Sequence, residues 1–134
     1  VNVAPSSTNF GSVVVNSTTG SQNTLTFTVT NNAAATLVIT LPFSPSGTNA
    51  SDFGIYSNGC ANPPYSGTLT SGQSCNIVVQ FNPQGAGSRT AQIVLSDNAT
   101  PSTQTINLSG TGLSVSPPPV PSSPMTIAVL EAAQ

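Results

Sequence analysis

Leu25-Thr26-Phe27-Thr28-Val29-Thr30 sets three apolar side chains on one side of an extended backbone and three threonines on the other. A helix, at 3.6 residues per turn, would scatter these residues around its circumference, whereas a half-buried strand uses this period of two. The alternation returns in Leu37-Val38-Ile39-Thr40-Leu41, Ile77-Val78-Val79-Gln80-Phe81 and Ala91-Gln92-Ile93-Val94-Leu95, with shorter candidates at Phe10 to Val15, Phe53 to Tyr56 and Thr105 to Leu108. Between these runs lie Asn31-Asn32, Ser44-Pro45-Ser46-Gly47, Asn62-Pro63-Pro64, Ser71-Gly72, Asn82-Pro83-Gln84-Gly85 and Asp97-Asn98. Gly and Asn tolerate left-handed backbone there, and Pro presets a turn. About seven short strands at this spacing predict an all-β chain folded as a β-sandwich. Its inward residues are expected to be Phe10, Val13, Val15, Leu25, Phe27, Val29, Leu37, Ile39, Leu41, Phe53, Ile55, Ile77, Val79, Phe81, Ile93, Leu95, Ile106 and Leu108.

Charge narrows function. Only 3% of the residues are charged, where a globular domain averages about 25%. His is absent, and Arg89 is the single basic residue, facing Asp52, Asp97 and Glu131 as acids. Proton transfer and nucleophile activation need groups that this chain scarcely has, so no enzyme activity, catalytic residue or cofactor is expected. One cation cannot neutralise a phosphate backbone, so no nucleic-acid partner is expected. No apolar run reaches 18 residues, so membrane insertion is not expected either. Two aspartates within the domain are too few for a calcium site, which takes six to eight oxygens.

Cys60 and Cys75 would close a loop of about 16 residues in an oxidising compartment, worth about 3 kcal/mol in the chain-entropy account. The alternative is a pair of buried reduced thiols. The chain opens at Val1 without a charged-then-apolar leader, which reads as a processed or excised form. Residues 1–113 are read as the sandwich. Residues 114–124, containing Ser116-Pro117-Pro118-Pro119-Val120-Pro121, are read as a polyproline II linker. Residues 125–134 are read as an extra strand with Met125, Ile127 and Val129 on one side, apolar enough to ask for a partner.

Several segments then fall into a familiar order: Phe10-Gly11, Thr26 to Asn32 with Leu37-Val38-Ile39, Asp52-Phe53-Gly54-Ile55 leading to Cys60, Ser71 to Pro83 around Cys75, Gly87-Ser88-Arg89-Thr90-Ala91, and Leu108-Ser109-Gly110-Thr111-Gly112. Over about residues 8 to 113 they resemble the choice-of-anchor D and ASPM-SPD-2-Hydin type of immunoglobulin-like domain, a relative of the major-sperm-protein fold. The resemblance implies a seven-stranded Ig-like sandwich with binding or structural roles and no chemistry of its own. Eukaryotic relatives of this kind act at cilia and centrosomes, and the cysteine pair looks like the bacterial extracellular version. In tandem arrays of the family another copy follows the terminal Gly-Thr-Gly, whereas here the Pro-rich stretch follows.

Two roles are in view. One is a structural subunit of an extracellular filament or surface assembly, a homopolymer whose Met125, Ile127 and Val129 dock as a strand onto a neighbouring copy. The other is a cell-surface or adhesin module that recognises a glycan or a protein. Asp52 and Asp97 are expected to stabilise turns, and Arg89 to form a structural salt bridge or carbonyl contact. Tyr56 and Tyr65 are expected to pack beside the cysteines. Glycosylation sequons occur at Asn16, Asn49, Asn98 and Asn107, about as often as this Asn- and Ser/Thr-rich composition gives by chance.

Overall fold

The computed structural model describes residues 1–16 and 23–114. The expected docking strand at Met125, Ile127 and Val129, and the linker from residue 115 on, lie outside the described residues. Among the described residues ten strands follow one another: β1 (Asn2–Ala4), β2 (Ser7–Val14), β3 (Asn23–Thr30), β4 (Leu37–Val38), β5 (Pro45–Ser46), β6 (Phe53–Asn58), β7 (Thr68–Leu69), β8 (Ser74–Phe81), β9 (Gly87–Ser96) and β10 (Thr103–Leu113), with a 3-10 turn at Ala50–Asp52. They form two four-stranded sheets, β1-β3-β8-β6 (sheet A) and β2-β10-β9-β5 (sheet B), and a two-stranded pair β4-β7. All pairings are antiparallel except β2 with β10. This is the β-sandwich that the alternation predicts, of the Ig-like kind that the resemblance implies.

The alternation positions the core directly. Phe27 and Val29 of β3 meet Ile77 and Cys75 of β8 in register, and all four are buried, as are Ile93 and Leu95 of β9 and Ile106 and Leu108 of β10. Between the sheets, Phe10 meets Phe53 edge to face at 5.6 Å, and Phe53 stacks on Phe81 at 4.7 Å. Gly110 makes room for that cluster: a Cβ there would lie 2.4 Å from Phe81 Cε2. Phe10 turns inward at a bulge, where the β2–β10 register shifts and Gly11 takes φ +79°. Asn9 Oδ1 accepts the Gly11 N–H there at 2.8 Å.

Three expectations need correction. The strand expected over Leu37–Leu41 stops at Val38, because the backbone changes partner: Ile39 N–H still donates to Gly67 O beside β7, but Ile39 also bridges Asp97 and Thr40 N–H donates to Ser96 O. Val15, Leu25, Leu41 and Ile55 are half-buried at the margins rather than central. Leu69 is fully buried although no alternation marks it, because β7 folds under β4.

Candidate contact surface

The chain's one basic group is committed internally. Asp52 ends the 3-10 turn and Arg89 lies near the start of β9. Arg89 Nε donates to Asp52 Oδ2 at 2.5 Å and Nη2 to Oδ1 at 3.4 Å, with Asp52 only 1% exposed. The guanidinium lies over Gly85, where a Cβ would come within 2.9 Å of Nη1. The hydrogen bond to Asp52 raises the Arg89 pKa, against a smaller opposing effect of burial. Asp52 thus serves as the buried partner of Arg89, not as a turn-capping side chain as expected. Its backbone carbonyl accepts Asn82 N–H, so the pair ties the entry of β6 to the β8–β9 turn. Asp97 does cap its turn, accepting Ala99 N–H at 2.8 Å.

Cys60 and Cys75 form a disulfide that joins the loop after β6 to β8, with Cα atoms 5.0 Å apart. Tyr65 packs against the core, but Tyr56 is 69% exposed at the β6 bulge, where the irregular register turns it outward instead of beside the disulfide. Among the described residues no group of three or more His, Cys, Asp or Glu could hold a metal ion.

What remains for contact is the outside of the sheets. On sheet A two polar pairs bond across strands: Thr28 Oγ1 donates to Asn76 Oδ1 at 2.9 Å, and Thr30 and Ser74 share a hydrogen bond of 2.7 Å. On sheet B, register aligns Ser7, Asn107, Gln92 and Ser46 in one row and Asn9, Ser109 and Thr90 in the next. Over them lies a shallow hollow of about 460 Å³ lined by Ser7, Asn9, Thr90, Asn107 and their neighbours. A second hollow of about 310 Å³ shares Thr90, Ala91 and Asn107 and reaches Gly47 and Thr48. Sequence reading missed this face because its residues come from four distant segments.

The sequons lie in different settings. Asn107 projects from the middle of β10 onto this face, and Asn16 lies exposed just past β2 at φ +52°. Asn98 Oδ1 accepts Val38 N–H while its Nδ2 donates to Thr36 O, and Asn49 Oδ1 accepts Thr90 N–H. The latter two amides are therefore already used in holding loops.

The edges differ in length. β1 and β5 are two or three residues long, and β6 carries a bulge at Tyr56. β2 is the long edge of sheet B, with no charged residue or proline. Among the described residues no backbone group bonds its outer side, and from β3 only Asn23 Nδ2 reaches the strand, donating to Phe10 O at the bulge. At its far end Val14 (38% exposed) pairs with Leu113 (45% exposed), an apolar spot where β10 runs out.

A profile of the HYDIN/CFA65/VesB-like Ig-like domain matches residues 1–111. Among solved structures, the Vibrio cholerae VesB protease superposes with a TM-score of 0.57 at 23% identity, over 78% of this chain and 30% of that one. The ASH/PapD-like domain of human CEP192 superposes with a TM-score of 0.57 at 15% identity, over 86% of each chain. SSP-19, an MSP-domain protein of Caenorhabditis elegans, gives 0.52 at 16% identity, over 83% of this chain and 99% of that one. The chain thus spans under a third of VesB, and these likenesses concern the fold. No curated protein sequence matches at a significant level.

Proposed function

The chain belongs to the HYDIN/CFA65/VesB-like family of Ig-like domains, and on that premise we propose that it is a non-catalytic structural subunit of an extracellular assembly. In this reading copies join by strand addition. The outer edge of β2 carries the proposal: it is long, uncharged and without a backbone partner among the described residues. Natural edges of that kind are normally guarded by charges or proline, because they template pairing with another chain. The bulge at Phe10–Gly11 divides the edge, so an incoming strand has straight runs on either side of it, at Ser7–Asn9 and Ser12–Val14. Residues 125–134 supply the strand, with Met125, Ile127 and Val129 giving the apolar contacts and the Val14–Leu113 spot receiving one of them. The disulfide supports an oxidising setting outside the cytoplasm. The similar V. cholerae protease VesC is described as secreted.

Light scattering and negative-stain imaging of the full chain and of residues 1–114 test this. The buried core runs from Phe10 to Leu108, so the shorter form retains it whole. Fibres from the full chain, monomers from the shorter form and inhibition by a free 125–134 peptide are the expected results. Equal polymerisation of both forms would overturn the tail's role.

A further inference from the structure

We propose that the outer face of sheet B binds a neutral, hydroxyl-rich polysaccharide, independently of whether copies assemble through β2. Three observations converge on it. Asn107, Gln92 and Thr90 are exposed, and their side chains make no hydrogen bond among the described residues, unlike the self-paired Thr28–Asn76 and Thr30–Ser74 of sheet A. The two hollows share Thr90 and Asn107, and so run as one trough across β2, β10 and β9 towards Gly47. Three strands at their usual spacing give it a width of about 10 Å. Among the described residues the face also carries no charge, since Arg89 turns to the buried Asp52 and Asp97 bonds its own turn.

Complementarity follows from these facts. A sugar hydroxyl both donates and accepts, and each amide side chain offers both partners. An anionic ligand would surrender hydration here and find no countercharge. A purely apolar ligand would strip water from the amides without replacing its hydrogen bonds. Because no aromatic ring lines the trough to stack on a sugar, affinity must be gathered from several modest hydrogen bonds at once. That requirement selects a polymer over a mono- or disaccharide, since linked units bind together with a gain in effective concentration.

Surface plasmon resonance of the full chain over immobilised dextran, galactomannan and mixed-linkage β-glucan, with polygalacturonate as the charged control, tests the proposal. Binding to at least one neutral polymer and none to polygalacturonate is expected. The Gln92→Ala/Asn107→Ala variant should bind at least tenfold more weakly at an unchanged melting temperature, while Thr28→Ala/Asn76→Ala on sheet A should bind as the parent does. Amide shifts on adding a short oligomer of the bound polymer should centre on Thr90, Gln92 and Asn107. No binding to any of the three neutral polymers overturns the proposal, as does equal binding by the Gln92→Ala/Asn107→Ala variant. So does loss of self-association in that variant without any polysaccharide binding, which would make the face a protein interface.

Discussion

Gly110 and Gly112 show why a motif can be recognised before its purpose is understood. Both lie in β10, and the resemblance included them without saying what they do. The structure gives the reason: a Cβ on Gly110 would press into the Phe81 ring, and one on Gly112 would lie 2.0 Å from the Gly85 carbonyl oxygen. A ring can shift, so Gly110→Ala is expected to cost about 1–3 kcal/mol in urea unfolding, as overpacking does. Combining it with Phe81→Leu should cost less than the sum of the two changes, because they share one contact. Gly112 faces backbone that has nowhere to go, so Gly112→Ala should lose more. Asp52 was misread from sequence because its partner lies 37 positions away, beyond any local turn rule. The pairing also fixes a sign. Arg89 is raised in the fold, so on the alkaline side its contribution is fully present below the pKa of a free guanidinium and is lost as pH climbs through the folded value, in strong alkali. With no His in the chain, the melting temperature should be flat from about pH 6 to 9, which a series of thermal melts checks.

The long strands were legible because each has a buried face and an exposed one, and alternation records that difference. β3, β8, β9 and β10 follow it almost residue by residue. β1, β5 and β7 were not legible, since two or three residues cannot display a period, and only tertiary pairing makes them strands. Leu37–Leu41 carried the right pattern for burial but not for length, because pattern reports which side faces inward and not which neighbour takes each hydrogen bond. The disulfide acts on the least regular of these elements. It spans the stretch that contains β7, so replacing Cys60 and Cys75 by Ala should lower unfolding stability by about 3 kcal/mol. Hydrogen exchange in that variant should rise first at Gly67 and Leu69, whose surroundings the cross-link holds, and last in β9 and β10.

For the molecule as a whole, composition made the surface legible in kind but not in place. The excess of Ser, Thr, Asn and Gln announced uncharged faces. Which polar side chains of sheet B come together depended on the register between β2, β10 and β9, and that register is settled by the Phe10–Gly11 bulge and the packing beneath it. The Arg89–Asp52 pair has one more consequence at this scale. As the chain's only Lys or Arg, Arg89 is also the only place where a trypsin-like protease could cut. The bond that follows it lies within β9, whose neighbour β10 pairs along its whole length, while Thr90 N–H is already held by Asn49. Cleavage needs an extended, released segment, and releasing β9 amounts to unfolding the sandwich. The fold thus turns the single trypsin-type bond into one that is out of reach, so trypsin should cut the chain no faster than the sandwich opens.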